Sequence, residues 1–175
     1  MHLRRLAVFV TIALVVLGLD QASKAWARTL PTAPAGCAPA DLAARRCAGV
    51  PQPVIAGYWD WELAMNDGVA FSTFAGGSGR IILCVIAGLA VLAIGYAAAR
   101  TAPEERLRRV CYGLLAAGAL GNLVDRVKDG AVTDFVRWHV HTHMWPIFNL
   151  ADAALLVGVG MLFLVRPRRA IQSPA

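Results

Sequence analysis

The sequence predicts a helical membrane protein with four transmembrane helices and a small β-sheet outside the membrane. Three observations predict it: an apolar composition, four apolar runs of membrane-spanning length, and arginine clusters at alternate ends of those runs. Of the 175 residues, 58% are hydrophobic and 16% are charged, and the mean hydropathy is +0.56. Soluble domains are about 45–50% apolar and about 25% charged. The length favours a single domain over residues 1–175.

Each apolar run is close to the roughly 20 residues that a helix needs to cross a hydrocarbon core of about 30 Å. The four predicted helices cover residues 6–27, 81–99, 107–124 and 148–165. Two connecting segments, about 28–80 and 125–147, would then lie outside the cell membrane on the same face.

The basic residues support this topology, because three arginine clusters abut the apolar runs. With four crossings, all three clusters lie on one side, which the positive-inside rule assigns to the cytoplasm together with both termini. This placement also argues against nucleic acid as the reason for the net charge of +6. The clusters are Arg4 and Arg5; Arg100, Arg106, Arg108 and Arg109; and Arg166, Arg168 and Arg169.

Residues 1–27 also resemble a cleavable signal peptide that ends in a small-residue site at Ala25 and Ala27. Asp20 and Lys24, which stand between the apolar stretch and that site, argue against cleavage. Removal would also leave three crossings and break the charge pattern, so we expect a retained helix.

The first external segment predicts a strand that ends at a turn. Trp59, Trp61, Leu63 and Met65 alternate with polar or small residues, a period of two that gives one apolar face. Residues 66–68 suit a turn, with 69–74 as a hairpin partner. The tryptophans also suit the headgroup region of a membrane.

The four cysteines divide by location. Cys84 and Cys111 fall in predicted membrane helices, where we expect inert packing residues. Cys37 and Cys47 fall in the external loop, where an oxidising compartment permits a disulfide. Spacing alone does not establish that these two sulfurs meet, so the pairing stays open at this point.

Five short polar motifs fall at the external ends of the predicted helices or beside them. Ionisable groups near lipid are costly, which makes such a cluster a candidate functional site. The motifs are Asp20-x-x-x-Lys24, Asn66-Asp-Gly-Val-Ala-Phe71, Gly121-Asn-Leu-Val-Asp-Arg126, Val132-Thr-Asp-Phe135 and Phe148-Asn-Leu-Ala-Asp152.

Taken in this order on four crossings, the motifs closely resemble those of lipoprotein signal peptidase, also called signal peptidase II. The resemblance covers nearly the whole chain, although the loop before Asn66 is longer than usual for the family. It implies an intramembrane aspartic endopeptidase that cleaves before the lipid-modified cysteine of bacterial prolipoproteins. The two catalytic aspartates of the family match Asp134 and Asp152.

Paired carboxylates also make chemical sense for peptide hydrolysis, since one ionised group activates water and one protonated group polarises the carbonyl. Taken alone, Asp152 suits the first turn of a helix capped by Asn149, and Asp134 suits a turn. The ordered motif set favours catalysis for both, and a cap at Asn149 is compatible with it.

The remaining motif residues are expected to bind substrate or to support the two aspartates. Asp20 and Lys24, four apart on a helix, predict an ion pair whose simplest purpose is neutralisation. Asp125 at a helix end needs a compensating partner, from Arg126 or from the strand that carries Asp134. Further such positions are Asn66, Gly68, Asn122 and Asn149, with Gly68 suited to close approach or a positive φ.

The sequence also suggests two other classes of function. His139, His141 and His143 alternate as metal ligands do, but no zinc-binding helix motif or nearby ligand accompanies them, so no metal or cofactor is expected. A small proton- or solute-coupled carrier would need ionisable groups along the membrane depth, whereas here they gather on one side. We expect a monomer in the bacterial inner membrane, acting on diacylglyceryl-modified prolipoproteins among membrane lipids, with its site facing the periplasm.

Overall fold

The computed structural model describes residues 2–68, 77–102, 104–140 and 142–165, and four long helices dominate it. The predicted runs match these helices, with the fourth starting two residues later than expected. Three are long and apolar enough to cross a membrane, whereas the fourth is apolar but has 15 residues. The long helices are α1 (His2–Ala27), α3 (Gly77–Arg100), α4 (Arg106–Asp129) and α5 (Leu150–Leu164), and the short α2 (Pro39–Ala43) lies in the loop between α1 and α3.

Helix α4 lies at the centre and packs against α1, α3 and α5. Its contact faces carry small residues such as Gly113, Ala117 and Gly121, which let the backbones approach closely. Large apolar side chains point outward instead, and Phe163 is 85% exposed. Small residues inside and large apolar residues outside is the arrangement expected of helices that meet lipid.

A four-stranded antiparallel sheet covers one end of the helices, which we call the sheet end. Its order is β3-β4-β5-β6, and β4 and β5 form its centre. The register pairs Ala64 with Asp134 and Asn66 with Val132. The strands are β3 (Gln52–Ile55), β4 (Trp59–Asn66), β5 (Val132–Val140) and β6 (His143–Met144).

The predicted strand over residues 59–66 is therefore confirmed, and Leu63 and Met65 on its apolar face are buried. The expected hairpin partner, residues 69–74, lies outside the described residues. In the described part of the chain, β4 is paired with β3 and β5. Asp60, on the opposite face, is also buried, and His139 lies 3.1 Å from its carboxylate.

The loop between α1 and β3 folds as a compact layer on β4. It contains α2 and a two-stranded sheet of β1 (Thr32–Ala33) and β2 (Ala48–Gly49). A disulfide joins Cys37 to Cys47, with their Cα atoms 6.5 Å apart, which settles the pairing that the sequence left open. Leu42 of α2 packs with Leu63 and Met65 in a small apolar core.

Three helix ends meet under the sheet. Lys24 near the end of α1 contacts Asn122 near the end of α4, and Asn122 contacts Asn149 at the start of α5. Helix α1 thus supplies buried side chains to the interior, and loss of residues 1–27 would remove them.

Candidate active site

Asp134 is the third residue of β5 and is 2% exposed. Each of its oxygens accepts one amide hydrogen bond. Asn66 Nδ2 donates to Oδ2 at 3.1 Å, and Asn149 Nδ2 donates to Oδ1 at 2.6 Å. The β4–β5 pairing brings Asn66 to this position, although the two side chains are 68 residues apart in the chain.

Asp152 lies in the first turn of α5, at the third helical position, and takes part in a capping box. Asn149 Oδ1 accepts the Asp152 N–H at 3.0 Å, and Asp152 Oδ2 accepts the Asn149 N–H at 3.3 Å. Asn122 Nδ2 donates to the other oxygen of Asp152 at 2.7 Å. Asp152 therefore takes part in the helix cap and accepts a hydrogen bond from Asn122 at the same time.

An amide pair connects the two carboxylates. Asn149 Nδ2 donates to Asp134 and also lies 3.2 Å from Asn122 Oδ1, while Asn122 Nδ2 donates to Asp152. Asp134 and Asp152 consequently belong to one hydrogen-bonded network at the sheet end.

Burial raises the pKa of Asp134 to about 7, and the negative charge of Asp152 adds to the rise. The amide donors of Asn66 and Asn149 oppose this by stabilising the ionised form, as does the charge of Lys24. Asp134 therefore retains a proton close to neutral pH, which is the state required of an acid that polarises a carbonyl.

A buried lysine lies directly behind this pair. Lys24 Nζ is 2.9 Å from Asp20 Oδ2, 3.2 Å from Asp125 Oδ2 and 3.1 Å from Asn122 Oδ1. The predicted Asp20–Lys24 ion pair is thus confirmed. The second oxygen of Asp20 accepts the backbone N–H of Ala151 at 2.9 Å, which fixes the start of α5.

Besides Lys24, Asp125 has a compensating partner on the strand. The backbone N–H of Thr133, next to Asp134 in β5, donates to Asp125 Oδ2 at 2.9 Å. Arg126 Nη1 instead lies 3.4 Å from the carbonyl oxygen of Asn122. The sequence predicted either Arg126 or the strand as a partner for Asp125, and the strand is the one that the structure shows.

Gly68 has φ +109°, a conformation that L side chains rarely adopt, as the sequence anticipated. Its N–H donates to Asn66 Oδ1 at 3.0 Å, which holds the Asn66 amide group toward Asp134. A Cβ at this position would meet Leu83 of α3 and approach the Arg126 guanidinium. The glycine thus permits α3, β4 and α4 to converge beside the site.

Comparison with known proteins identifies the family. A family model described as signal peptidase (SPase) II matches residues 12–166. The chain belongs to the signal peptidase II family. A lipoprotein signal peptidase of Xylella fastidiosa strain 9a5c is 33% identical over 177 residues, 95% of this chain and 94% of that protein. One of Xanthomonas campestris pv. campestris strain 8004 is 38% identical over 155 residues, 86% and 83% of the two chains.

Two solved structures share this fold. Two bacterial membrane enzymes, determined by the in meso method at 2.3 and 1.9 Å resolution, superpose with TM-scores of 0.68 and 0.74. Their identities are 27% and 26%, covering 89% and 93% of this chain and 85% and 94% of theirs. This signal peptidase is therefore an aspartic peptidase and a multi-pass protein of the inner membrane.

Two contacts of this signal peptidase were not expected from its sequence. Gln21 Nε2 lies 3.2 Å from Asp125 Oδ1, and Arg28 bonds Thr133 Oγ1 at 2.9 Å. Gln21 and Lys24 share one face of α1, and Arg28, four residues after Lys24 and one past the end of the helix, continues that spacing. The spacing of these three residues was the sequence signal for their contacts. Thr133 carried no such signal, because the group that bonds Asp125 is its backbone N–H.

The alternating histidines do not form a shared cluster in the described part of the chain. His139 lies against Asp60, His143 is in β6, and His141 is outside the described residues. Among the residues that the structure describes, no group of three or more His, Cys, Asp or Glu side chains could hold a metal ion.

Proposed function

We propose that Asp134 and Asp152 are the catalytic pair of this signal peptidase. Its substrate would be a diacylglyceryl-modified prolipoprotein, cut just before the lipidated cysteine. The observation that carries the proposal is the amide connection through Asn149 and Asn122, which holds both carboxylates in one network. The relatives that the chain resembles are named lipoprotein signal peptidases, which supports the choice of substrate.

The pair shares one proton, with Asp134 as its holder in the resting enzyme. The proton of Asp134 polarises the scissile carbonyl, while the ionised Asp152 accepts a proton from the attacking water. The resulting tetrahedral intermediate collapses when the amine leaving group takes up that proton. Burial favours this division because the raised pKa of Asp134 keeps its proton available near neutral pH.

Asp125 is a supporting residue in this mechanism, as are Asp20 and Lys24. Its two oxygens are occupied by Thr133, Lys24 and Gln21, and it is 1% exposed. Arg28 Nη2 also lies 3.7 Å from Oδ1, so four groups face the roughly four lone-pair sites of this carboxylate and leave none for a substrate. The ion pair of Asp20 and Lys24 is equally buried and acts by positioning Asn122 and the start of α5.

We place all four long helices across the membrane, with both termini in the cytoplasm and the sheet end in the periplasm. The arginines at the opposite end, Arg100, Arg106 and Arg108, support this orientation through the positive-inside rule. Helix α5 rises about 22 Å at 1.5 Å per residue, less than a full hydrocarbon core. Residues 146–149 before it, joined to β5 through the backbone hydrogen bonds of Phe148, would supply the remaining depth.

The protein would act as a monomer on substrates that diffuse in the lipid, without a metal, other cofactor or nucleic acid. A membrane carrier is the rival, and the placement of ionisable groups weighs against it. Asp20, Lys24 and Asp125 lie together at the sheet end. A relay across the membrane would instead need ionisable groups at both ends of the helices.

The test is cleavage of a diacylglyceryl-modified prolipoprotein by purified protein in detergent or proteoliposomes. Asp134→Asn and Asp152→Asn should each lower kcat by about 10²–10⁴-fold, with an unchanged thermal unfolding midpoint within a few degrees. Asp41→Asn, an exposed aspartate on α2, should cut at the parent rate. The parent should also cut in the presence of a chelator.

Either aspartate variant cutting at the parent rate would refute the assignment. Loss of cutting with chelator, restored by zinc, would revive the metal interpretation. A parent protein that cuts no lipidated substrate would favour the carrier.

A further inference from the structure

A polar cleft leads from the active site to the disulfide loop. Its volume is about 360 Å³, and Asp134 and Asn66 line one part of it. Leu42, Arg45 and Cys47 of the loop line another part. The disulfide loop, which the sequence predicts to be longer than usual for the family, therefore forms a wall of the space in front of Asp134.

The loop is held firmly enough to act as a wall. The disulfide closes it, and Leu42 is 6% exposed in the apolar core on β4. Gly49 of β2 lies against the backbone of Leu63, so closely that a Cβ there would clash. Residues 37–47 thus have a fixed position relative to the strand that carries Asn66.

The position of the cleft indicates which part of a substrate it receives, and this step rests on the proposed function. An apolar signal segment gains by staying in the hydrocarbon, among the helices. The cleft lies at the sheet end and is lined by charged residues such as Glu62 and Asp67, which are unsuited to lipid. It therefore suits the polar chain that follows the lipidated cysteine.

Arg45 supplies the charge that this wall presents. Its φ is +55°, uncommon for a residue with a side chain, and its N–H bonds the carbonyl of Leu42 at 3.0 Å. Among the described residues, no carboxylate forms an ion pair with Arg45, whereas Glu62 is paired with Arg137 and Arg46 with Asp41. The cation is exposed and available to a ligand.

We propose that Arg45, on the wall formed by the disulfide loop, favours substrates with an acidic side chain shortly after the lipidated cysteine. The attraction is between the guanidinium and a carboxylate in a solvent-accessible cleft. Such pairs are modest, so the expected preference is roughly two- to fivefold in kcat/KM. It should fade as the salt concentration rises, because the charges are screened.

The experiment compares matched prolipoprotein substrates that carry Asp, Asn or Lys at each of the three positions after the cysteine. The parent should cut the Asp substrate best at one or more of these positions. Arg45→Glu should reverse the order, and Arg45→Gln should abolish it. Arg46→Glu is the matched control, since this neighbouring arginine pairs with Asp41 outside the cleft and should leave the preference intact.

Equal cutting of Asp and Lys substrates by the parent would overturn the inference, as would a preference that survives Arg45→Glu. Both outcomes leave the proposed function standing, because the Asn substrate is still cut. A parent that cuts none of the three substrates refutes the proposed function and this inference with it. Cutting of the Asn substrate by each variant verifies that it has folded.

Discussion

Asn149 Nδ2 lies 3.2 Å from Asn122 Oδ1, and this contact joins helix α5 to helix α4 between the two catalytic candidates. Each amide also holds one carboxylate, Asn149 that of Asp134 and Asn122 that of Asp152. Two neutral amides can accept and donate at once, so they orient both acids without neutralising them. Asn149 adds a third function as the cap of α5.

Asn149→Ser should separate the capping function from the catalytic one. Serine caps a helix about as well as asparagine, but its shorter side chain does not reach Asp134 and Asn122 together. We expect an unfolding midpoint within a few degrees of the parent and a kcat at least about tenfold lower. Asn149→Ala should lose both the capping and the catalytic function, and the missing cap should lower the stability by about 0.5–2 kcal/mol. Equal activity of the serine variant and the parent would contradict this.

The pH dependence of cleavage follows from Asp134. Its pKa is raised to about 7, so kcat should fall as the pH rises through about 7 and the required proton is lost. The Asn66 amide stabilises the ionised form, so Asn66→Ala should raise the pKa further and move the falling limb to higher pH. Gln52→Ala, whose amide bonds only backbone carbonyls, should leave the limb in place. A shift to lower pH would contradict the assignment.

Lys24→Met should destabilise the protein strongly. It leaves Asp20 and Asp125 buried without their shared cation, and breaking a buried ion pair costs about 3–5 kcal/mol. Thermal unfolding in detergent micelles should show a clearly lower midpoint. Lys128→Met, at an exposed position on α4, is the matched control and should change the midpoint little. Equal midpoints for the two variants would show that the lysine network does not stabilise the fold.

Gly121→Ala should also be destabilising, through packing. A Cβ at this position would collide with the Asp20 carboxylate and lie 3.1 Å from the Ala151 Cβ. Such overpacking costs about 1–3 kcal/mol. Gly88→Ala on α3, where a Cβ meets nothing within 4 Å, should instead be neutral or stabilising by about 0.5–1 kcal/mol. The two unfolding midpoints, measured in the same detergent, should move in opposite directions or differ clearly.

Reduction should open the external loop. The Cys37–Cys47 bridge closes it, and a disulfide typically stabilises by about 2–4 kcal/mol. Trypsin should therefore cut after Arg45 and Arg46 roughly tenfold faster, or more, once reductant is added. Cutting in Cys37→Ser/Cys47→Ser should be fast and insensitive to reductant. In denatured, unreduced protein two thiols should react with alkylating reagent, Cys84 and Cys111, and after reduction all four.

Local patterns predicted the elements of this fold well, because periodicity and helix length act over a few turns. The apolar runs match the long helices, the alternation around Trp61 matches β4, and the spacing of Asp20 and Lys24 matches their ion pair. These features need no knowledge of what lies elsewhere in the chain. The order and topology of the motifs predict Asp134 and Asp152 as the catalytic pair, and that assignment stays a prediction.

Long-range contacts were not predictable in the same way. The pairing of β4 with β5 connects residues about 70 positions apart, and nothing local in either strand specifies that register. Gln21 reaches Asp125 across 104 residues, and its amide resembles any surface glutamine in the sequence. The sequence allowed Arg126 as a partner for Asp125 because adjacency is visible, whereas a backbone N–H from Thr133 is not.

The ion pair within α1 has a consequence for the biogenesis of the protein. Lys24 is separated by 98 residues from Asn122, so α1 is synthesised well before α4 can offer it a partner. Because Asp20 lies one turn earlier on the same helix, α1 carries its own counter-ion into the bilayer. We therefore expect the nascent helix to insert before α4 is synthesised. The later arrival of α4 extends an existing pair, so no lone charge has to dwell in lipid while translation continues.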